Sequence, residues 1–147
     1  MLASLGAVHA QRGQSVPQAV GRLRVAMNDA FARASLEHGL TAPYAELLCA
    51  AMTPAGVGQL AEHLDCDRTN VTRLVDRASQ RGWLIRGADD SDRRRAVIEL
   101  TPEGDRLARA FIGSLEAQLA GLLVRWDAGQ QQSAVQLLRE IAEELEE

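Results

Sequence analysis

The sequence contains no lysine, so all 16 of its basic residues are arginine, and 20 acidic residues leave a formal net charge of −4. Aromatic residues make up only 3% of the chain. No apolar run approaches the roughly 18 residues of a membrane span, and the first residues have neither a basic start nor a long apolar stretch. These features predict a cytoplasmic protein without a membrane segment.

The length and composition favour one compact unit. A chain of 147 residues buries roughly 70% of its unfolded surface when it folds as one domain. We find no internal repeat, low-complexity tract or linker that would mark a second domain. We therefore expect a single, mainly α-helical domain over residues 1–147, whose first residues form a mobile arm that ends near Ser15.

Eight of the 16 arginines lie between Asp67 and Thr101, where residues 67–95 carry a local net charge of +3. Asp67 is a good helix N-cap, and Gly82 is a typical helix stop. Strand-forming residues follow at 83–86 and at 96–100, separated by a polar segment with three consecutive arginines. The apolar positions of the predicted helix have helical spacing: Val71, Leu74, Val75 and Ala78. This stretch, here called the arginine-rich unit, predicts a helix followed by an arginine-tipped hairpin.

The polar face of this helix suits duplex DNA. Hydroxyl, amide and guanidinium groups are the side chains that contact base edges in the major groove. We expect base contacts from four residues in the first turns, namely Thr69, Asn70, Thr72 and Arg73. Arg68 and Arg77 are equally suited to phosphates. On the helix alone, a merely solvated polar face is an equal alternative, but the arginine-tipped hairpin beside it favours nucleic acid.

Two motifs resemble the MarR (multiple antibiotic resistance regulator) family of bacterial transcription factors. Residues 92–104 have the sequence DRRRAVIELTPEG, similar to the wing of that family with its D-R-R and L-T-x-x-G, and residues 71–86, VTRLVDRASQRGWLIR, are similar to its recognition helix and first wing strand. Two departures are Asp65, where the turn often has glycine, and Ala78, where a larger apolar residue is common. The resemblance implies a winged helix-turn-helix over residues 41–101.

The wing tip contains Asp92, Arg93, Arg94 and Arg95. Residues two apart in an extended segment point the same way, which predicts that the Asp92 carboxylate accepts a hydrogen bond from the Arg94 guanidinium. The resemblance implies that Arg94 enters the minor groove. Arg93 and Arg95 would then face the other way or contact phosphates.

Long helices flank the arginine-rich unit. A helix over residues 15–39, capped by Ser15, is predicted before it, and two helices over 102–147, broken at Asp127-Ala128-Gly129, after it. Another helix is capped by Thr41 and a short one spans Gly58–Leu64. Apolar residues recur every three or four positions in the flanking helices, which is typical of helix-on-helix packing and indicates a two-fold dimerisation region. The family resemblance implies the same region.

We find no signature of an enzyme, a metal site or a cofactor site. His9, His38 and His63 lack metal-ligand spacing, and no phosphate-binding loop or nucleophile elbow occurs. Cys49 and Cys66 are interpreted as structural residues. A thiol-based redox-sensing regulator is a weak alternative, since the resemblance places the sensing cysteine of some relatives in the first helix, where this chain has none.

The sequence therefore predicts a homodimeric regulator that represses transcription by binding a palindromic operator in double-stranded DNA. The resemblance implies release by a small aromatic or phenolic effector, for which His38, Tyr44 and Trp83 are the candidate ligand-binding residues. The alternative from another class is a winged-helix module for protein contact, whose arginines meet an acidic partner.

Overall fold

The computed structural model describes residues 13–146. Most of the predicted N-terminal arm, including His9, lies outside the described residues. Within these residues, six helices and one hairpin follow each other: α1 Val16–Leu36, α2 Ala42–Ala50, α3 Val57–His63, α4 Arg68–Gln80, β1 Leu84–Ala88, β2 Ala96–Leu100, α5 Pro102–Leu123 and α6 Ala128–Glu146. The predicted fold, mainly α with a small hairpin in a winged helix-turn-helix, is confirmed. None of the helices within 13–146 combines the length and the apolar character needed to cross a membrane.

Side-chain caps mark the start of several helices. Ser15 caps α1 as predicted, and Gln18 completes a reciprocal capping box with it. Thr41 is the N-cap of α2, but its side chain makes no capping hydrogen bond. Asp127 exchanges hydrogen bonds with Gln130. The predicted break between the two C-terminal helices is present, but it lies at residues 124–127 rather than at Asp127-Ala128-Gly129, because Asp127 caps α6 and the next two residues belong to that helix.

The hairpin is antiparallel, with Leu84 opposite Leu100 and Ala88 opposite Ala96. Its first strand begins one residue later and ends two residues later than the sequence predicts. Ala55 forms an isolated antiparallel β-bridge with Ile98 of β2. Its N–H donates to the Ile98 carbonyl at 3.2 Å, and its carbonyl accepts from the Ile98 N–H at 2.7 Å. The hairpin is thus attached to the chain segment that leads into α3.

The core lies between α2, α4, the hairpin and the first half of α5. Leu47 and Leu48 of α2 are completely buried, as are Val71 and Val75 of α4. Aliphatic side chains dominate this core, as expected from the scarcity of aromatic residues. The fully or nearly fully buried side chains from other elements include Leu40, Leu60, Leu84, Ile98, Leu107 and Phe111.

The second half of α5 and the whole of α6 leave much of their apolar surface exposed. The first half of α5 is packed into the core, whereas Leu119 in its second half is 45% exposed. No described residue of α6 is buried, although the helix has an apolar stripe. Its exposed large apolar side chains are Val135, Leu137, Leu138 and Leu145. The described chain therefore has no internal partner that buries α6.

Candidate nucleic-acid interface

Burial fixes the orientation of α4. Val71, Val75 and Ala78 are completely buried, so the opposite side of the helix faces solvent. Asp67 caps the helix as predicted, and its Oδ1 accepts from the Asn70 N–H at 2.9 Å. The exposed predicted site residues of this helix are Arg68, Thr69, Asn70, Arg73 and Arg77.

The turn between α3 and α4 contains a left-handed residue. Asp65 has a φ of 48°, in the region where glycine is favoured and where aspartate is among the better-tolerated other residues. Its N–H donates to the Glu62 carbonyl at 3.2 Å, and the next N–H, of Cys66, donates to the Ala61 carbonyl at 3.1 Å. The departure from glycine at position 65 therefore still allows a tight turn.

Two of the predicted base-contacting residues already make hydrogen bonds within the helix. The Asn70 side-chain amide donates to Oδ2 of Asp67 at 2.6 Å, which leaves its own carbonyl oxygen and one N–H available. Thr72 is half-buried, and its hydroxyl donates to the Arg68 carbonyl at 2.8 Å. Thr72 consequently has an acceptor and a methyl group available for contacts, rather than the free hydroxyl donor that the sequence suggested.

The wing tip differs from the prediction at Asp92. Oδ1 of Asp92 accepts from the main-chain N–H of Arg94 at 3.0 Å, and its carbonyl accepts from the Arg95 N–H at 2.9 Å. Residues 92–95 thus form a tight turn instead of an extended segment, and residues two apart no longer point the same way. The predicted bond from the Arg94 guanidinium to the Asp92 carboxylate is therefore wrong.

A second aspartate shapes the start of the same loop. Oδ1 of Asp89 accepts from both the hydroxyl and the N–H of Ser91, at 2.7 and 2.9 Å, and these bonds hold the pKa of Asp89 below its usual value. The Asp89 N–H donates to the Arg95 carbonyl at 3.0 Å and closes the loop. The three wing arginines, Arg93, Arg94 and Arg95, are exposed and form no ion pair with any described residue.

An ion pair that sequence analysis missed joins the hairpin to α4. Arg86 of β1 donates to Oδ1 of Asp76 at 2.5 Å. The two residues are ten positions apart across a helix-to-strand connection, so no local spacing rule indicates the contact. On another side of the hairpin, a polar cleft of about 390 Å³ is lined by Arg68 and Arg95 together with residues of α3 and β2. Arg68 of α4 and Arg95 of the wing therefore meet at one surface cleft, which they share with the acidic residues Glu62 and Asp89.

Thr101 connects this surface to α5. Its hydroxyl donates to the Gly82 carbonyl at 2.6 Å and accepts from the Gly104 N–H at 3.1 Å. Its N–H donates to the Trp83 carbonyl at 3.0 Å. The L-T-x-x-G motif thus links the chain just after α4 to the first turn of α5.

The three candidate ligand-binding residues belong to two separate sets of contacts. The rings of Tyr44 and Trp83 meet edge to face with centroids 5.6 Å apart. Nε2 of His38 lies 2.8 Å from Oγ of Ser114, and that hydroxyl also donates to Glu37 at 2.6 Å. Across residues 13–146, no group of three or more histidine, cysteine or acidic side chains is placed to hold a metal ion.

Sequence comparisons support the interpretation of the central region. Residues 47–96 match the model of the MarR family. The transcriptional repressor MprA of Escherichia coli (strain K12) is 37% identical over 54 residues, which are 37% of this chain. The matched segment spans 31% of that relative, or about a third of its length.

Solved structures match the fold over almost the whole chain. CouR from Rhodococcus jostii RHA1, bound to p-coumaroyl-CoA, has a TM-score of 0.74 at 21% identity and covers 90% of this chain and 92% of its own. PcaV from Streptomyces coelicolor, in complex with its natural ligand, has a TM-score of 0.64 at 25% identity over 88% of this chain and 93% of its own. The chain thus has the winged helix-turn-helix fold of these structures, and its residues 47–96 are similar to the MarR family of transcriptional regulators.

Proposed function

We propose that this protein is a homodimeric repressor that binds a palindromic DNA operator and is released by a small ligand. The observation that carries the proposal is the exposed surface of α4 and the wing tip, where arginines accumulate on a main chain fixed by its own hydrogen bonds. Guanidinium groups on a preorganised frame suit the regularly spaced phosphates and base edges of duplex DNA.

The exposed residues divide by role along this surface. Thr69, Asn70 and Arg73 lie in the first two turns of α4, the part of such a helix that meets base edges, and Thr72 contributes a methyl group there. Arg68 and Arg77 contact phosphates on either side. Arg94 enters the minor groove, and Arg93 and Arg95 contact the flanking backbone, on a turn that Asp92 shapes.

The exposed apolar side chains of α5 and α6 support the proposed dimer. Most of the stability of a helix in a protein comes from packing of its apolar side, and no residue of the 19-residue helix α6 is buried within the chain. A second copy covers that side when residues 15–39 and 102–147 of each chain form a shared helical region. Residues 101–147 carry a net charge of −5, which keeps acidic groups away from the arginine-rich unit. Two α4 helices then meet successive major grooves about 34 to 36 Å apart, as a palindrome requires.

Two structural relatives that hold small molecules support a small-molecule effector. CouR is described with p-coumaroyl-CoA and PcaV with its natural ligand. We extend this property to the present chain as an aromatic or phenolic effector that binds between the dimer helices and the arginine-rich unit. Tyr44 and Trp83 would contact its ring, and His38 would approach it from the end of α1.

Repression is proposed from the name of the relative MprA, a transcriptional repressor. A bound dimer covers the operator and excludes other proteins from it. The protein would act in the cytoplasm, where bacterial DNA lies. Because the family and fold are those of transcriptional regulators, we expect no catalytic activity and no cofactor.

Selection of bound duplexes from a random pool tests the proposal. We expect recovery of a palindrome with half-sites about one helical turn apart, bound with a steep dependence on salt. Equal recovery of all sequences would contradict a specific operator. Failure to bind any duplex at low salt would favour instead a protein-contact module with an acidic partner.

A further inference from the structure

Arg77 and Arg81 carry the same charge and lie one helical turn apart, but their surroundings differ. They lie four residues apart at the end of α4, and both are exposed, so the sequence pattern assigns both to one basic surface. The carbon at the centre of the Arg81 guanidinium, however, lies 5.3 Å from the ring centroid of Tyr44 and 5.1 Å from that of Trp83. Both distances fall within the range of a cation–π contact.

We propose that Arg81 is a positioning residue for DNA binding, which holds the C-terminal end of α4 against Tyr44 and Trp83 and does not itself contact DNA. This inference rests on the proposed DNA-binding function. Arg81 belongs to the arginine-rich unit but not to the site predicted from the sequence, so the inference gives it a role for the first time.

The two rings form a fixed support. Tyr44 is only 8% exposed and belongs to the core, where its ring meets that of Trp83 at an angle of 80°. Trp83 is held on both sides by main-chain bonds, because its N–H donates to the Ala78 carbonyl and its carbonyl accepts from Thr101, each at 3.0 Å. A guanidinium that rests on both rings is therefore anchored to α2 and to the link with α5.

Arg81 also stands at the C-cap of α4, where its charge is favourable beside the negative end of the helix dipole. The next residue, Gly82, has a φ of 76° and turns the chain away. Thr101 holds the same turn from the other side, because its hydroxyl donates to the Gly82 carbonyl at 2.6 Å. Because α4 is a single helix of 13 residues, a displacement at this end would be transmitted to the first turns that approach the bases.

The test compares Arg81→Gln with Arg77→Gln, its matched control one helical turn away. Operator affinity is titrated at several salt concentrations on specific and random duplexes, at a temperature where both variants are folded. A phosphate contact contributes about 0.9 to the slope of log K against log salt, and Arg77→Gln removes one contact from each protomer of the dimer, so we expect it to reduce the slope by about 1.8. Arg81→Gln should weaken operator binding by about threefold to thirtyfold and leave the slope unchanged.

Two further measurements separate positioning from contact. In the free protein, Arg81→Gln should speed hydrogen exchange of the amides at 81–83 and change Trp83 fluorescence in a Trp126→Phe background, whereas Arg77→Gln should do neither. Arg81→Lys keeps the charge but loses the flat guanidinium, and we expect it to keep the salt slope while recovering only part of the affinity.

Three outcomes would overturn the inference. They are unchanged operator affinity in Arg81→Gln, a reduced salt slope with equal loss on specific and random DNA, and amide exchange identical to that of the wild type. A wild-type protein that binds no duplex contradicts the proposed function itself. A wild type that binds an operator, with Arg81→Gln indistinguishable from it, contradicts the role of Arg81 alone.

Discussion

Gly104 in the first turn of α5 lies directly against the main-chain carbonyl of Trp83, and a Cβ at position 104 would overlap that oxygen. The same carbonyl accepts the Thr101 N–H. The glycine of the L-T-x-x-G motif is therefore required by a close approach of two main-chain segments, since the φ of Gly104 is that of an ordinary helix residue.

Substitution of this glycine should destabilise the fold. In Gly104→Ala the obstructing atoms are main chain and move only with the hairpin or with α5, so we expect a loss of about 1–3 kcal/mol in the free energy of unfolding. Chemical denaturation measures it. Gly113→Ala is the control, because its Cβ would meet nothing within 4 Å in the chain, and it should be neutral or stabilising by up to about 1 kcal/mol. Equal stability of the two variants would show that the approach is readily relaxed.

Arg73 should contribute to sequence preference. It is exposed near the start of α4 and forms no ion pair within residues 13–146. If it contacts a base, Arg73→Ala costs about 1–3 kcal/mol of operator binding and relaxes preference at one position of each half-site. Competition between single-base operator variants measures the change. The same loss on random DNA would assign Arg73 to the backbone.

The wing turn allows Asp92 to be tested separately from its charge. Asp92→Ala removes the acceptor for the Arg94 N–H and should weaken operator binding, although it makes the surface more positive. Asp92→Asn keeps an acceptor oxygen at the same place and should retain most of the affinity. Arg94→Ala should weaken binding as well. Titrations at two salt concentrations decide the matter, and tighter binding by Asp92→Ala at both would mean that the turn does not position Arg94.

The dimer should depend on α6. Leu138 is 51% exposed in the chain, so Leu138→Glu is expected to leave the monomer core intact. In the proposed dimer it buries a carboxylate and should dissociate the protein at micromolar concentration, with weaker operator binding. Gln132→Glu adds the same charge at an exposed polar position and serves as the control. Sedimentation that finds the wild type monomeric, with unimpaired operator binding, would refute the dimer.

Cys49 should be the less reactive thiol. Burial, with a smaller contribution from Glu46, raises the pKa of Cys49, so its thiolate is scarce at neutral pH and becomes populated only at higher pH. Cys66 lines an open cleft at the turn between α3 and α4. We expect iodoacetamide to label Cys66 before Cys49 at pH 7, and the rate at Cys49 to rise as the pH is raised. Mass spectrometry of peptides follows both rates, and Cys49 labelled first would contradict the assignment.

Local signals predicted most of the fold. Asp67 indicated the start of α4 because a cap requires only its own turn, and Val71 with Val75 indicated the buried side because helical spacing is local. The contacts that orient the surface were not predictable in this way. Arg86 meets Asp76 across ten residues, and Arg81 meets Tyr44 across thirty-seven, so both depend on how the elements pack.

At Asp92 the prediction failed for a different reason. The prediction assumed an extended chain, in which the side chains of Asp92 and Arg94 point the same way. In the structure the Asp92 carboxylate bends the segment itself, because it accepts the main-chain N–H of Arg94. A short polar side chain that competes for the backbone changes the geometry on which the prediction depended.

The wing loop assigns its shape and its charge to different residues. Asp89 and Asp92 determine the path of the main chain, and the three arginines between positions 92 and 96 contribute no side-chain bond to that path. Arginines 93–95 can therefore be exchanged for other side chains while the two aspartates keep the same loop. The wing is in this sense a modular scaffold, on which the preference for a DNA sequence can evolve, or be redesigned, without refolding the loop that displays it.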